Sequence, residues 1–253
     1  MLQAVLWDVD GTLAETERDG HRIAFNEAFA ALAVPWRWSE TRYGELLAIA
    51  GGRERLLFDM RFQEHAPAGL EAREQLAARL HRRKNELYAA IVASGALPLR
   101  PGVRELIRDC TAASVRMAIV TTTSRANVDA LLRTHLGEGW PEQFAAVVCA
   151  EEAPKKKPDP QVYHLALEAL EVENRTAVAI EDAPAGIAAA QAAGVPVIVN
   201  RSYYFPCPVA AGVLACGPSL AERCDWVPEW DAGESRLTLG QIRRWHTALR
   251  RTT

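Results

Sequence analysis

The sequence lacks a long apolar run, an excess of one charge and a pattern of paired cysteines. Its apolar runs are too short to span a bilayer, so we expect no membrane partner. The 29 basic and 32 acidic residues are interspersed and give a net charge of -3, which argues against a nucleic-acid-binding surface. The five cysteines form no C-x-x-C pair, and an odd number would leave one thiol unpaired in a disulfide framework. We therefore expect reduced thiols.

The first residues also lack the features of a secretory leader. Met1 is followed almost at once by the strand-like run AVLW, without a basic segment, an apolar segment and small residues in that order. We therefore expect a cytoplasmic protein, and we expect it to be a monomer.

The length and composition are those of a globular protein with a sizeable core. The 253 residues, of which 49% are hydrophobic, suffice for one large domain or for a core and a smaller domain. Residues 21–33 and 70–93 carry apolar side chains at helical spacing among charged ones. We interpret both segments as amphipathic helices.

Short apolar runs alternate with helical segments from Pro98 onward. Such runs suit strands that are buried on both faces, as in a parallel sheet; they are residues 115–120, 145–149, 177–180 and 195–199. The opening run, residues 4–7, is predicted to belong to the same sheet. We predict an α/β fold whose core is a Rossmann-like parallel sheet flanked by helices, with an inserted α-helical cap. The core domain would comprise residues 1–16 and 96–253, and the cap residues 17–95.

Polar side chains directly follow several of the predicted strands. In an open parallel sheet, ligands bind beyond the carboxyl ends of the strands. The residues expected at this edge are Asp8, Asp10, Thr121, Thr122, Lys157, Glu181 and Asp182. Carboxylates, hydroxyls and a lysine together are the groups that phosphoryl transfer with a divalent cation requires.

Each residue type suits one part of that chemistry. Asp8 can attack phosphorus, and Asp10 can protonate the leaving oxygen and later take a proton from water. Two carboxylates facing a phosphate need a hard cation, so we predict Mg²⁺ as the cofactor. Its ligands would be Asp8, Asp182 and the Asp10 backbone carbonyl, with Glu181 binding directly or through water.

The fixed positive charge and the neutral donor are assigned to Lys157 and Thr121. Thr122 competes with Thr121, because a shift of one residue at the end of the strand would exchange them. Lys155 and Lys156 stand beside Lys157 and are interpreted as solvated charges.

Four short motifs resemble those of the haloacid dehalogenase-like hydrolases. They are DVDGT, AIVT, KPDP and IED, in that order and at the ends of the expected strands. The family lysine precedes Pro-x-Pro, which favours Lys157. One departure is that Ala183 and Pro184 follow Asp182, where the family commonly has a serine. Pro184 suits the first turn of a helix, so the assignment of Asp182 stands.

Within that family, the chain is most similar to the CbbY-type sugar phosphatases, which are related to β-phosphoglucomutase. This likeness covers nearly the whole chain and rests on DVDGTLAETE, GHRIAFNEAF, AGGRERL, LPLRPGV and IED. It implies a small phosphorylated sugar as the partner, and xylulose-1,5-bisphosphate, an inhibitory by-product of Rubisco, as the substrate.

The resemblance also implies that the cap contacts the sugar. The residues concerned are Glu17 and the cap loop Gly51, Gly52, Arg53 and Glu54. Arginine is well shaped to bind a phosphate, and we favour Arg53 over Arg55, although arginines on a helical cap are often solvated. His21 lies near Glu17 and is either a pocket residue or a structural histidine.

Three functions remain open on the sequence alone. The first is an Mg²⁺-dependent phosphatase of a small sugar phosphate that works through an aspartyl phosphate. The second is a phosphohexomutase similar to β-phosphoglucomutase, and the third is a regulator that binds sugar phosphates without catalysis. The four motifs do not separate the first two, because both share the phosphoenzyme step.

Overall fold

The computed structural model describes residues 1–206, 211–230 and 233–252 of the chain. Within them, one parallel sheet has six strands in the order β3-β2-β1-β4-β5-β6. The strands are β1 (Ala4–Trp7), β2 (Arg116–Val120), β3 (Ala146–Val148), β4 (Ala177–Glu181), β5 (Val197–Asn200) and β6 (Ala215–Gly217). The sequence did not predict β6, because its residues, Ala-Cys-Gly, include no β-branched or large apolar side chain of the kind that marks the other strands.

Helices cover both faces of the sheet. Val5 and Trp7 of β1 contribute to one core cluster, while Ala4 and Leu6 contribute to the other, as the alternation of a strand requires. All four side chains are fully buried. The helices of this part are α5 (Val103–Ala112), α6 (Arg125–Leu136), α7 (Gln161–Leu170), α8 (Pro184–Ala192) and α9 (Leu239–Thr252).

The helical cap is inserted between β1 and β2. Its helices are α1 (Arg22–Ala31), α2 (Glu40–Leu46), α3 (Gly52–Asp59) and α4 (Leu70–Ala93), and a π-helical turn, Glu17–His21, precedes α1. They enclose an aromatic core of their own that includes Phe25, Trp38 and Tyr43. The predicted fold class is thus confirmed, and the domain boundaries stay a prediction.

The strand register brings the predicted site residues to one edge. Trp7 pairs with Ile119 of β2 and Ile180 of β4. The next residue, Asp8, therefore lies between Val120 and Glu181 where the central strands end. This arrangement follows from parallel pairing, in which the carboxyl ends of neighbouring strands meet.

Two observations on the described residues concern membrane helices and cysteines. None of their helices has both the length and the apolar character needed to cross a membrane. Cys110, Cys149, Cys216 and Cys224 form no disulfide there, and Cys207 lies outside the described residues.

Candidate active site

Asp8 is held at the end of β1 by the backbone of one neighbouring strand and by a lysine. Its amide donates to the Ile180 carbonyl at 3.1 Å, and its Oδ1 accepts from Lys157 Nζ at 2.7 Å. Lys157 Nζ also donates to the Val120 carbonyl at 2.9 Å and to Glu181 Oε1 at 2.7 Å. The lysine thereby links two buried carboxylates.

The pKa values of Asp8 and Lys157 are shifted by burial and by neighbouring charges. Burial and the charge of Glu181 raise the pKa of Asp8 to about 7, although Lys157 opposes the shift. Burial works against the charge of Lys157, but Asp8 and Glu181 raise its pKa above the ordinary value. Lys157 therefore remains a cation at neutral pH.

Three buried carboxylates lie close enough together that they could hold a cation. One oxygen each of Asp8, Glu181 and Asp182 lies within 4.8 Å of the others. Burial and the charge of Asp8 raise the pKa of Asp182 well above its ordinary value. Its Oδ1 is buried and has no hydrogen-bond partner among the described residues. Mutual repulsion and an unsatisfied oxygen fit a divalent cation bound by oxygen ligands.

The loop after β1 must be glycine at position 11. Gly11 has a φ of +85°, and a Cβ there would lie 2.0 Å from Asp182 Oδ2. The buried guanidinium of Arg100 donates to the Gly11 carbonyl and to the Asn200 carbonyl. Backbone is thereby brought close to the acidic cluster, with no side chain between them.

Asp10 lies at the cap side of this loop. Its Oδ1 accepts from Thr16 Oγ1 at 2.6 Å and lies 3.1 Å from His21 Nε2. Burial favours the neutral carboxyl, but the charge and hydrogen bond of His21 and the hydrogen bond of Thr16 lower the pKa of Asp10 to about 2. His21 is therefore a neighbour of the predicted acid and base, a contact that the sequence left open.

The two candidate threonines after β2 occupy different environments. Thr121 is 1% exposed, and its Oγ1 accepts from the Thr123 amide at 3.1 Å. Thr122 lines the cavities on both sides of the site. The geometry leaves open which of the two donates to a phosphate.

Two adjoining cavities lie between the core and the cap. The core-side cavity has a volume of about 410 Å³ and is lined by residues that include Asp8, Lys157 and Asp182. The cap-side cavity has a volume of about 290 Å³ and extends over α3 and α4. Asp10, Glu17, Arg55 and Thr122 line both, so they mark the junction.

The cap residues that the resemblance implied line this cleft, and one further arginine joins them. Glu17, Gly51, Gly52, Arg53 and Glu54 line the cap-side cavity. Arg53 is exposed. Arg55, which the sequence did not favour, lines both the cap-side and the core-side cavity.

Glu54 is engaged across the cleft. It accepts from Lys156 Nζ at 2.7 Å, which joins the cap to the core. Lys156 is thus an ion-paired residue of the cavity wall, whereas the sequence indicated a solvated charge.

Lys84 is a cavity residue that sequence reasoning missed. It is 4% exposed, and its ammonium lies 5.2 Å and 5.1 Å from the ring centroids of Phe25 and Tyr88. It donates to Asn85 Oδ1 at 3.4 Å, and no carboxylate forms a salt bridge with it among the described residues. Burial lowers its pKa to about 8. In the sequence, the only indication of a buried lysine was that Lys84 occurs among the apolar positions of the predicted helix of residues 70–93.

The fold and the site define the class of protein. The model of the haloacid dehalogenase-like hydrolases matches residues 2–194, and the chain belongs to this family. It is a phosphatase, that is, a phosphoric monoester hydrolase.

Three known proteins show which members of the class it resembles. Protein CbbY of Cupriavidus necator is 40% identical over 97% of both chains. The crystal structure of CbbY from Rhodobacter sphaeroides with phosphate has a TM-score of 0.83 at 40% identity and covers 96% of this chain and 100% of that one. An Asp-to-Asn mutant of the same protein, in complex with xylulose-1,5-bisphosphate, has a TM-score of 0.81 at 42% identity and covers 88% and 97%.

Proposed function

We propose that the chain is an Mg²⁺-dependent phosphatase that converts xylulose-1,5-bisphosphate to xylulose 5-phosphate through an aspartyl phosphate on Asp8. The observation that carries the substrate is the presence of two separate buried lysines in the cleft. Lys157 lies beside Asp8 in the core-side cavity, and Lys84 lies in the cap-side cavity. If a sugar with a phosphate at each end binds in this cleft, one phosphate lies near Lys157 and the other lies near Lys84.

The relatives support the same substrate. The Rhodobacter sphaeroides CbbY mutant binds xylulose-1,5-bisphosphate, and its fold matches most of this chain. The unpaired ammonium of Lys84 adds support from the chain itself, because a buried cation without a carboxylate partner is costly unless an anion binds there.

In the first half-reaction, an Asp8 carboxylate oxygen bonds to phosphorus while the bond from phosphorus to the sugar oxygen breaks. Asp10 gives a proton to that oxygen. Since the pKa of Asp10 is about 2 without substrate, Asp10 must take up a proton once the phosphate has bound.

In the second half-reaction, water attacks phosphorus, Asp10 takes the water proton, and the bond between Asp8 and phosphorus breaks to release phosphate. Mg²⁺ would be held by Asp8, Asp182 and the Asp10 carbonyl, and by Glu181 either directly or through water. When bound, the ion neutralises the charge that gathers on the phosphoryl oxygens. Lys157 and either Thr121 or Thr122 orient the same oxygens.

A panel of phosphorylated sugars at equal concentration tests the proposal. We expect at least tenfold higher kcat/KM for the pentulose bisphosphate than for hexose monophosphates, which is about 1.4 kcal/mol in the barrier. Removal of divalent cations with EDTA should stop phosphate release, and Mg²⁺ should restore it. Conversion of β-glucose 1-phosphate to the 6-phosphate, in place of phosphate release, would support a mutase and contradict the proposal.

The charge of Lys84 should make substrate binding depend on pH. The pKa of about 8 means that the cation is present below pH 8 and is lost above it. KM for the bisphosphate should therefore rise between pH 8 and 9, by up to about tenfold per pH unit. Initial rates of the parent and of Lys84→Arg, whose guanidinium stays charged, provide the comparison. An equal rise in both proteins would show that Lys84 is not responsible.

A further inference from the structure

Glu181 receives a hydrogen bond from a tyrosine that the reaction steps above do not use. Tyr163 lies in the first turn of α7 and donates its hydroxyl to Glu181 Oε1. The same oxygen accepts from Lys157 Nζ at 2.7 Å. The phenol and the ammonium therefore meet at one carboxylate oxygen, and the ammonium also bonds to Asp8.

The residues of this contact are shielded from solvent. Tyr163 is fully buried, Glu181 is 1% exposed and Lys157 is 6% exposed. The Lys157 ammonium lies 5.5 Å from the centroid of the Tyr163 ring. Tyr163 itself lines neither the core-side nor the cap-side cavity. Any effect of its hydroxyl on the reaction must therefore pass through its neighbours.

The carboxylate of Glu181 is confined from two sides. Burial and the charge of Glu181 raise the pKa of the Tyr163 phenol well above its ordinary value, so the hydroxyl keeps its proton and remains a donor. On another side lies Gly186, in the first turn of α8, where a Cβ would overlap with both carboxylate oxygens. A fixed donor and close backbone leave this carboxylate little freedom to turn.

The Lys157 ammonium has no N–H group to spare. Its three N–H groups donate to Asp8 Oδ1, to the Val120 carbonyl and to Glu181 Oε1. The two carboxylates thus share one cation. Buried ion pairs are favourable only when further hydrogen bonds satisfy the remaining lone pairs. The Tyr163 hydroxyl provides such a bond to Glu181, so that Glu181 does not draw the ammonium away from Asp8.

We infer that Tyr163 is a positioning residue: its hydroxyl fixes Glu181 and, through Glu181, holds the Lys157 ammonium beside Asp8. The inference rests on the proposed function, because it assigns a support for the cation that orients the phosphoryl group there. Every phosphate monoester presents the same phosphoryl group to Asp8. The contribution of Tyr163 therefore does not depend on the rest of the substrate.

The variant Tyr163→Phe removes the hydroxyl and keeps the ring. We expect kcat to fall at least about tenfold, with KM changed less than about threefold, because a misplaced cation stabilises the transition state less well. The same fall should occur on the pentulose bisphosphate and on p-nitrophenyl phosphate. A kcat close to that of the parent, or a loss confined to one substrate, would overturn the inference.

A binding measurement examines the same point without turnover. Trifluoroberyllate with Mg²⁺ takes the place of the phosphoryl group on Asp8, so its affinity depends on where Lys157 lies. We expect its dissociation constant, followed by tryptophan fluorescence, to be at least about tenfold higher in Tyr163→Phe than in the parent. Equal constants would contradict the inference. An Asp8 that stays unmodified in the parent would instead contradict the proposed function, and the kinetic comparison would then decide on Tyr163.

Two control variants separate positioning from a general loss of structure. Tyr203→Phe also removes a hydroxyl that donates to a glutamate, since Tyr203 Oη lies 2.7 Å from Glu40 Oε2, but Tyr203 lines neither cavity. Val162→Ala removes buried packing beside Tyr163 in α7. We expect both variants to keep the parental kcat, although Val162→Ala should lower Tm. A fall of kcat in Val162→Ala as large as that in Tyr163→Phe would argue against the inference.

A double-mutant cycle identifies the residue through which Tyr163 acts. Glu181→Ala removes the acceptor, so adding Tyr163→Phe should lower the residual kcat by less than about twofold. This comparison leaves no Glu181 carboxylate without its donor, and it can be made even if Tyr163→Phe alone does not fold. A further loss of about tenfold would show that the hydroxyl acts by another route and would contradict the inference.

Discussion

An Asp8→Asn variant is expected to lose phosphate release by at least about 10⁴-fold, which corresponds to about 5.4 kcal/mol in the barrier. The amide has nearly the same size and can still accept the hydrogen bond from Lys157, but it is a poor nucleophile and forms no acyl phosphate. The measurement is the rate of phosphate release from the pentulose bisphosphate at saturating Mg²⁺. Asp19→Asn, on the surface of the cap, serves as the control that keeps the parental rate.

The covalent step can be examined directly in the parent protein. Trifluoroberyllate mimics a phosphoryl group, and we expect it to modify the side chain of Asp8. An unmodified Asp8 in a protein that turns over would remove the basis for the roles of its neighbours.

A Lys157→Met variant is expected to lower the free energy of unfolding by about 3–5 kcal/mol at neutral pH in the absence of divalent cations. Lys157 forms the salt bridges to Asp8 and Glu181, and both carboxylates are buried. Without it, the two carboxylates lose their shared cation, and keeping either one charged in a region with little water becomes costly. Urea unfolding of parent and variant measures the difference.

Two further results check the cause of that loss. The loss should shrink at pH 5, because the carboxyl of Asp8, with a pKa of about 7, is then already protonated in the parent, so the variant no longer removes a salt bridge to a charged Asp8. Lys156→Met is the matched control: its ion pair with Glu54 is partly exposed, so we expect it to cost less than about 1 kcal/mol. Losses of equal size for both lysines would show that the buried pair has no special role.

The predicted core of the site was accessible from the sequence because it lies on neighbouring strands. Each acid pair directly follows a buried apolar run, and parallel pairing places the ends of such runs side by side. Asp8 and Glu181 are adjacent for this reason. Their separation in the chain does not matter, since the sheet register determines the contact.

The cap was less predictable. The helix of residues 70–93 matches α4 in full, whereas the short helices α2 and α3 were not recognised. Seven or eight residues give too few turns for a helical period to stand out. Arg55 was considered but not favoured, and Lys84 was missed, because their position in the cleft depends on how the cap helices pack against each other.

By itself, the sequence determined the parallel sheet, the inserted helical region and the set of residues at the carboxyl edge. These features depend on local apolar periods and on short motifs, which are visible along the chain. Only the tertiary structure decided that Arg55 and Lys84 line the cleft, that Glu54 pairs with Lys156, and that His21 contacts Asp10. These contacts join elements far apart in the chain, and side-chain burial and charge pairing are properties of the packed molecule.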